Sequence, residues 1–294
     1  MNVMEYIKEC SALSEKSRHL VKQGYRIGLV PTMGFFHEGH LSLMDRARKE
    51  CDIVIVTLFI NPIQFGPNED LALYPRDIER DRDLAEKRGV DILFHPGSEQ
   101  IYPEGFRTNV IVNDLSTKLC GISRPTHFRG VTTVVCKLFN LTCPTIAYFG
   151  QKDAQQAIII KQMVRDLNFQ IKIEIMPIVR EADGLAMSSR NSYLNPEERL
   201  AAVCLYTSLI EAESLIKKGE KKSSNIIRKI KEVINNEPLA ILEYGEVVDT
   251  VTLSPLEIID QESLIALAVK IGKTRLIDNI IISPCKKKGD DCHA

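Results

Sequence analysis

Two histidines three residues apart, His37 and His40, are the strongest chemical signal in the sequence. They lie in the segment 31–40, Pro-Thr-Met-Gly-Phe-Phe-His-Glu-Gly-His, where a strand-like apolar run gives way to a helical stretch. Backbone N–H groups at the start of a helix favour phosphate, and Gly34 and Gly39 would let a nucleotide approach the backbone closely. Imidazoles on one helical face can hydrogen-bond to a phosphate or donate a proton to it. The segment therefore predicts a site for nucleotide phosphates.

Two other interpretations of the histidine pair are surface capping and zinc coordination. The spacing is not that of H-E-x-x-H, and the other histidines offer no third ligand by their spacing; they stand at positions 19, 95, 127 and 293. Ligands in a doubly wound sheet collect beyond the carboxyl ends of the strands, which is where this pair lies. That position favours the phosphate site over both alternatives.

Three further polar segments follow predicted strands or a predicted domain boundary. In segment 150–156, Lys152 places a cation beside a helix start, and Gln156 could hydrogen-bond to a hydroxyl or carboxylate. Segment 183–191 has two hydroxyls followed by an arginine, which suits a mobile phosphate clamp. Segment 61–66 adds two amides. Taken alone, segment 150–156 is more typical of solvated helix capping, and segment 183–191 is more typical of an ordinary polar linker.

The elements that must position these residues alternate regularly over the first 178 residues. Amphipathic periodicity predicts helices, and continuously apolar runs predict strands buried on both faces. The predicted helices are 3–21, 38–50, 77–88, 128–141 and 154–167, and the predicted strands are 27–30, 53–60, 91–94, 145–149 and 171–175. This alternation predicts an α/β, Rossmann-like domain over residues 1–178, with a doubly wound parallel sheet.

The pattern changes after Pro177, and residues 179–294 predict a smaller α+β domain that acts as a lid. Asn195 as N-cap and Pro196 at the first helical position begin a long helix that runs to about residue 217. A helix at 225–234 and strands at 242–248, 263–270 and 275–282 follow, and the charged tail 286–294 is expected to fray.

Composition limits the partners and the location. The 294 residues contain 38 Lys and Arg against 39 Asp and Glu, a net charge of −1, which argues against nucleic acid or an anionic membrane as the main partner. The longest strongly apolar stretch, 53–60, is far shorter than the ~20 residues of a membrane-spanning helix. The first ten residues lack the apolar segment of a secretion signal, and the eight cysteines show no C-x-x-C pair. We expect reduced thiols and a cytoplasmic protein.

Six motifs in this order resemble the pantothenate synthetase (pantoate–β-alanine ligase) family. They are P-T-M-G-F-F-H-E-G-H, F-I-N-P-I-Q-F-G, Y-P-R-D, H-F-R-G-V-T-T-V-V, F-G-Q-K-D-A-Q-Q and D-G-L-A-M-S-S-R-N. The family belongs to the nucleotidyltransferases with "HIGH" and "KMSKS" signatures, for which segments 37–40 and 187–190 stand here. Two departures are Gln151, where the family commonly has Glu, and Ala154, where an aromatic residue is common.

The resemblance implies a two-step ligation by a homodimer that uses ATP and Mg²⁺. ATP and pantoate would give pantoyl adenylate and pyrophosphate, after which β-alanine would attack the acyl carbon and release AMP. Two rival interpretations are another nucleotidyltransferase, such as a cytidylyltransferase, and a non-catalytic module that senses ATP. Amides suited to an acid argue against the first, and the number of phosphate-directed side chains argues against the second.

The resemblance also implies residue roles. Catalysis falls to His40 as proton donor together with His37, Lys152, Ser188, Ser189 and Arg190. The ATP site comprises Met33, Gly34, Phe35, Phe36, His37, Glu38, Gly39, His40, Gly150, Gln151, Lys152, Asp153, Val179, Met187, Ser188, Ser189 and Arg190. Pantoate or β-alanine would be held by Met33, Asn61, Gln64, Arg129 and Gln156, and Asp81 matches a position near the magnesium.

Overall fold

Residues 3–67 and 69–283 are described by the computed structural model, in which the chain divides into two compact units, Met1–Tyr193 and Leu194–Ala294. The first unit extends past residue 178, where the sequence pattern puts the domain boundary, so segment 179–193 packs with the first unit. The proposed lid role of the C-terminal region stays a prediction.

The first unit is built on a six-stranded sheet in which every pairing is parallel, as the sequence predicts. The strands are β1 Glu5–Ile7, β2 Ile27–Thr32, β3 Ile53–Leu58, β4 Ile92–Phe94, β5 Ile146–Gly150 and β6 Lys172–Met176. Their order across the sheet is β1-β4-β3-β2-β5-β6. Because the order reverses between β2 and β5, this is the point where ligands collect in such sheets.

Helices connect the strands of the first unit. They are α1 Cys10–Lys22, α2 Glu38–Glu50, α3 Ile78–Lys87, α4 Ser98–Ile101, α5 Cys120–Ser123, α6 His127–Thr142 and α7 Ala154–Asp166. The predicted helix at 3–21 is wrong at its start, because Glu5–Ile7 forms an edge strand beside Ile92–Phe94. Met4 and Ile7 are buried, and pairing with β4 outweighs the local helical periodicity.

The strand β2 runs through Pro31, and this proline limits its pairing. Ile27 exchanges hydrogen bonds with Thr145 at the start of β5, and by the two-residue period Pro31 faces the same neighbour. Proline has no N–H to donate, and the register of β2 with β5 ends at Leu29 and Ala147. The pairing of the two strands therefore ends short of their carboxyl ends, at the topological switch point where sheets of this kind have their ligand crevice.

The helix α2, which follows β2, is fixed by an apolar stripe. Leu41, Met44 and Ala47 are buried at three-residue spacing against the sheet core, which includes Val30 and Val56. Burying each large side chain contributes about 1.5–3 kcal/mol. This packing holds the first turn of α2 rigidly at the crevice.

The second unit has helices α8 Pro196–Ala201, α9 Cys204–Lys217 and α10 Ser223–Asn235. Its antiparallel sheet has strands β7 Ala240–Asp249, β8 Ser263–Ile271 and β9 Thr274–Ile282, in agreement with the predicted α+β class. The predicted single helix from 195 to 217 is wrong, because it breaks at Ala202 and Val203. There, hydrogen bonds such as Leu205 N–H to the Ala202 carbonyl span three residues instead of four.

Three composition-based expectations can be compared with the described residues. No described helix combines the length and the apolar character needed to cross a bilayer. The six cysteines that the structure describes carry free thiols, as predicted. The predicted fraying of the tail 286–294 lies outside the described residues.

Gly130 makes a close approach to the backbone of a neighbouring turn. A Cβ at this position of α6 would lie 2.6 Å from backbone atoms of Ile63 and Gln64, in the 3-10 turn Pro62–Gln64 that follows β3. Backbone cannot move aside as the end of a flexible side chain can. Only glycine allows α6 to pack against this turn.

Replacing Gly130 with Ala should lower the free energy of unfolding by at least about 1 kcal/mol. Overpacking costs about 1–3 kcal/mol, which exceeds the gain of up to about 1 kcal/mol in helix propensity. Gly150→Ala is the matched control, because a Cβ there meets no atom within 4 Å. Urea unfolding of both variants checks this, and unchanged stability of Gly130→Ala would contradict the close approach.

Candidate active site

The loop between β2 and α2 is held by the carboxylate of Asp81. This side chain comes from α3 and is 1% exposed. One of its oxygens accepts a hydrogen bond from the N–H of Phe35 at 2.6 Å, and the other accepts from the N–H of Phe36 at 2.7 Å. Phe35 has a φ of +53°, a conformation that costs free energy for a residue with a side chain. Asp81 therefore stabilises an unfavourable loop conformation through two charge-assisted hydrogen bonds.

Internal packing explains the two glycines of this segment. Gly34 has a φ of +86°, and a Cβ there would meet Asp81 at 3.0 Å and Leu58 at 3.1 Å. A Cβ at Gly39 would lie 2.8 Å from the ring of His37. Both positions thus require glycine because of contacts within the protein. The sequence pattern explains these glycines only by the close approach of a nucleotide.

The rings of His37 and His40 are in contact at the start of α2, with centroids 4.1 Å apart and a tilt of 42° between their planes. His37 is the N-cap, and its Nδ1 accepts a hydrogen bond from the N–H of Gly39 at 3.2 Å. The Nδ1 of His40 accepts from the N–H of His37 at 3.4 Å. Because a neutral imidazole has one donor nitrogen, each ring carries its proton on Nε2. The pair therefore offers two N–H donors whose tautomers the backbone sets.

Both imidazoles are neutral at neutral pH. Burial, followed by the nearby Lys152 ammonium, lowers the pKa of His37 to about 4. Burial, then His37 and then Lys152, lower the pKa of His40 well below its usual value. The histidines therefore act as neutral hydrogen-bond donors in the ligand-free protein, and an anion bound beside them would raise both pKa values.

Charged side chains surround the histidine pair. Lys152 lies in a 3-10 turn between β5 and α7, and its positive charge lowers the pKa values of both histidines. Arg80 also lowers the pKa of His37, while Asp153 and Glu181 raise it. The sequence interpretation missed Arg80 and Glu181, which carry no motif of their own. The site thus combines cations with neutral donors, as suits a polyphosphate.

The segment 187–190 is attached to the same loop. The Ser189 hydroxyl donates to the Phe35 carbonyl at 3.3 Å, and the Ser188 hydroxyl accepts from the N–H of Arg190 at 3.2 Å. The Arg190 guanidinium forms a bidentate pair with Asp70, at 2.8 and 2.9 Å. In this state Arg190 is therefore engaged by a carboxylate, and its predicted role on phosphate requires exchange of that partner.

A second polar cluster lies where β3 ends. The Nδ2 of Asn61 donates to the Gly130 carbonyl and to the Oε1 of Gln64, both at 3.0 Å. The Nε2 of Gln64 donates to the Sδ of Met33 at 3.1 Å. This contact connects the predicted acid-binding amides with the end of β2. The structure thus brings Met33, Asn61 and Gln64 together, and their role in binding the acid stays a prediction.

The neighbouring glutamines of α7 differ in what they contact. Gln155 is buried and bonds to Leu115, Lys118 and Cys120, so it holds the 115–120 loop. The Gln156 amide has no hydrogen-bond partner among residues 3–67 and 69–283, and it lies in the first turn of α7. Gln156 is therefore the one of the two with an amide available to a ligand.

Four other predicted site residues make the following contacts, or none, in the structure. Arg129 is exposed in the first turn of α6, and its side chain makes no hydrogen bond or ion pair within the described ranges. The ring of Phe36 is 1% exposed and belongs to the core. Glu38 is exposed and pairs with Arg88 at 3.2 Å. The Val179 carbonyl accepts from the N–H of Met187 at 3.0 Å. Their ligand roles stay predictions.

Two residues at the site were missed by the sequence interpretation. The Tyr102 hydroxyl donates to the Oδ1 of Asn61 at 2.8 Å, and the Nδ1 of His127 lies 3.0 Å from the Gln64 carbonyl. The partners are 41 and 63 residues apart in the sequence, so no local spacing indicates either contact. His127 begins the motif H-F-R-G-V, which is the one signal that could have found it.

The described residues contain no group of three or more His, Cys, Asp or Glu side chains that could hold a metal ion. Asp81 is buried, and both of its oxygens accept from backbone amides. This arrangement fits loop support and does not fit a metal ligand. The zinc alternative likewise finds no ligand set in the described ranges.

Comparisons with known proteins agree with this geometry. The family model described as pantoate-beta-alanine ligase matches residues 2–281. The chain is 54% identical over 282 residues to the pantothenate synthetase of Heliobacterium modesticaldum, covering 96% of this chain and 99% of the relative. It is 56% identical over 268 residues to that of Thermoanaerobacter sp. (strain X514), covering 90% and 95%.

The chain belongs to the pantoate–β-alanine ligase family.

Solved structures of pantoate–β-alanine ligases share its fold. The pantothenate synthetase of Thermus thermophilus superposes with a TM-score of 0.91 at 42% identity, covering 96% of this chain and 100% of that one. The Francisella tularensis ligase, complexed with beta-gamma ATP and beta-alanine, gives a TM-score of 0.78 at 35% identity, covering 95% and 98%. As a family member, the chain catalyses ATP-dependent condensation of pantoate with β-alanine, a carbon–nitrogen ligation.

His127 makes the stability of this ligase depend on pH. Burial is the largest cause that lowers the pKa of His127 to about 4, and Arg124 adds to it. An unfolded histidine binds its proton near pH ~6.5, so the folded state loses stability as pH falls from there, by up to about 1.4 kcal/mol per pH unit. His127→Asn keeps a donor near Nδ1 without titrating. Its stability in urea should fall less steeply over this window, and parallel curves would contradict the assignment.

Asp81→Asn tests the support of the loop. An amide can accept with one oxygen only, so its NH₂ group would face a backbone N–H, at a cost of about 1–3 kcal/mol. We expect a lower free energy of unfolding and roughly tenfold weaker ATP binding, because the segment 33–40 loses its fixed conformation. Asp77→Asn is the control, since Asn is an equally good N-cap for α3. Restoration of ATP binding by excess Mg²⁺ would instead indicate a metal ligand.

Proposed function

We propose that the chain condenses pantoate with β-alanine in two steps, through pantoyl adenylate. The observation that carries this proposal is the convergence of neutral imidazole donors, the Lys152 ammonium and the start of α2 at the crevice between β2 and β5. A carboxylate is a poor electrophile, whereas the adenylate offers AMP as a good leaving group. A site that binds triphosphate beside an acid supports this route.

In the first step, a pantoate carboxylate oxygen attacks the α-phosphorus of ATP. The new P–O bond forms while the bond to the β-phosphate oxygen breaks, and pyrophosphate leaves with that electron pair. Negative charge builds up on the oxygens around the α-phosphorus and on the leaving group. The Nε2–H groups of His37 and His40 and the ammonium of Lys152 stabilise that charge at positions fixed before reaction.

The neutral state of the histidines refines the role of His40. The resemblance implies a proton donor, but a ring with so low a pKa in the ligand-free protein holds its proton on Nε2 as a hydrogen-bond donor. Triphosphate charge would raise the pKa of both rings and strengthen the bonds they donate. We assign His40 to charge stabilisation, with no net proton transfer required in the adenylation step.

In the second step, the free amine of β-alanine attacks the acyl carbon of pantoyl adenylate. The C–N bond forms, the C–O bond to AMP breaks, and the amine loses a proton to solvent or to released phosphate oxygen. The amides of Gln64 and Gln156 hold the pantoate oxygens through both steps. Both amides are available to a substrate. The Gln64 NH₂ group contacts only the weak thioether acceptor of Met33, and the Gln156 amide has no hydrogen-bond partner in the described ranges.

Magnesium fits this site through the nucleotide. Mg²⁺ usually binds substrate phosphates with few protein carboxylates, and it would supply further charge neutralisation there. The buried, doubly bonded Asp81 does not fit as its ligand. The homodimer, the cytoplasmic location and the lid role of the C-terminal region remain predictions of the same kind.

Pyrophosphate exchange into ATP tests the function. Pantoate without β-alanine should support exchange, because adenylation needs only the acid and the nucleotide. His40→Ala should lower the exchange rate by about 10²-fold, whereas His40→Gln, which restores a donor near Nε2, should retain at least about tenfold more than Ala. His19→Ala, at an exposed position in α1, is the control.

Two outcomes would contradict the proposal. Exchange that strictly requires β-alanine would exclude a free adenylate step. Equal loss in His40→Gln and His40→Ala would show that His40 must carry a transferable proton.

A further inference from the structure

A chain of three side chains leads from Tyr102 to the predicted pantoate site. The Tyr102 hydroxyl lies 2.8 Å from the Oδ1 of Asn61, and the Nδ2 of Asn61 lies 3.0 Å from the Oε1 of Gln64. The same Nδ2 is 3.0 Å from the backbone carbonyl of Gly130. Asn61 is 1% exposed and Gln64 8%, so these amides cannot exchange their partners for solvent.

The Gly130 carbonyl sets the direction of every hydrogen bond in this chain. A carbonyl oxygen can only accept, so the Asn61 atom beside it must be the nitrogen. The other end of the Asn61 amide is then an oxygen, and the Tyr102 hydroxyl must donate to it. The second proton of Asn61 Nδ2 goes to Gln64, whose facing atom must be Oε1. The NH₂ group of Gln64 therefore lies at the far end.

This polarity determines what Gln64 can recognise. Its Nε2 contacts the Sδ of Met33 at 3.1 Å, and a thioether is a weak acceptor. A carboxylate or hydroxyl oxygen of a substrate is a stronger acceptor and can replace the sulfur as a partner. An ammonium group presents only donors and finds no acceptor at this end of Gln64.

Tyr102 is held so that its hydroxyl reaches Asn61. Its ring contacts Phe59 and Phe106, with centroids 6.2 and 5.0 Å away. Burial raises the pKa of Tyr102, so the hydroxyl keeps its proton and remains a donor. Tyr102 does not itself contact the residues assigned to the substrates other than Asn61.

We propose that Tyr102 is a positioning residue that, together with the Gly130 carbonyl, holds Asn61 and thereby keeps the Gln64 amide with its NH₂ group toward an acid substrate. This proposal rests on the proposed function, in which Gln64 binds pantoate. Loss of the tyrosine hydroxyl frees the Asn61 oxygen and removes one of the constraints on both amides. The site then loses affinity for the acid and keeps its phosphate machinery.

Tyr102→Phe removes the hydroxyl and keeps the ring packing. We expect the KM for pantoate to rise about five- to tenfold, as for loss of one buried hydrogen bond, with kcat and the KM for ATP changed less than about twofold. Tyr148→Phe is the matched control, because its buried hydroxyl donates to Glu50 and takes no part in this chain. A purely structural defect would change both substrates' KM values and kcat together.

A double-mutant cycle separates positioning through Gln64 from any other effect. In a Gln64→Ala background, Tyr102→Phe should change the KM for pantoate by less than about twofold, because the amide it orients is absent. An equal effect of Tyr102→Phe in both backgrounds would overturn the proposal.

Gln64→Glu tests the polarity directly, and it does not depend on the folding of the tyrosine variant. A glutamate keeps an acceptor for Asn61 but turns a second, negatively charged oxygen toward the acid. We expect the KM for pantoate to exceed that of Gln64→Ala by about tenfold or more. A Glu variant as good as the parent would show that Gln64 presents its oxygen to the substrate. Failure of the parent enzyme to use pantoate at all would refute the function instead, so the two failures are distinguishable.

Discussion

Four side-chain hydrogen bonds to the backbone of two adjacent residues hold the candidate active site together. The N–H groups of Phe35 and Phe36 donate to Asp81, the Phe35 carbonyl accepts from Ser189, and the Phe36 carbonyl accepts from Arg80 at 2.9 Å. All four backbone groups thus bind side chains from other elements, which offsets the cost of the left-handed Phe35. The start of α2, with its two histidines in contact, can face the crevice only while this loop keeps its conformation. The sheet forms the crevice, and these four hydrogen bonds fix the loop that carries the histidines to it.

The electrostatics of the site follow from keeping the imidazoles neutral. Lys152 and burial together oppose a charge on His37 and His40, so the ligand-free site holds fewer repelling cations than its composition suggests. Fixed N–H donors need no reorganisation when phosphate charge develops, which is the advantage of a preorganised site. Arg190 is paired with Asp70. Positive charge is therefore present but largely compensated before substrate binds.

Much of the fold could be predicted from the sequence because local periodicity determines helices and strands. Part of the candidate site could be predicted because its motifs are local in sequence. The helix at 38–50 and the parallel order of apolar strands follow from patterns that span only neighbouring residues. The strand at Glu5–Ile7 could not, since it depends on pairing with a segment more than eighty residues away. Tyr102 and the support by Asp81 were inaccessible for the same reason, because their partners lie 41 to 46 residues distant. Motif spacing locates reacting groups, but the groups that orient them are brought in by topology.

Gly39 has an evolutionary consequence. Any side chain there would collide with the ring of His37, which lies against the ring of His40 and whose Nδ1 accepts from the N–H of Gly39 itself. A homologue in which this glycine is replaced would keep both histidines but lose the ring contact and the fixed Nε2–H donors. Selection would then no longer maintain either histidine as a donor to phosphate. We therefore expect a substitution at any one of these three positions to change the constraint on the other two, whereas the intervening Glu38 is exposed and pairs with Arg88.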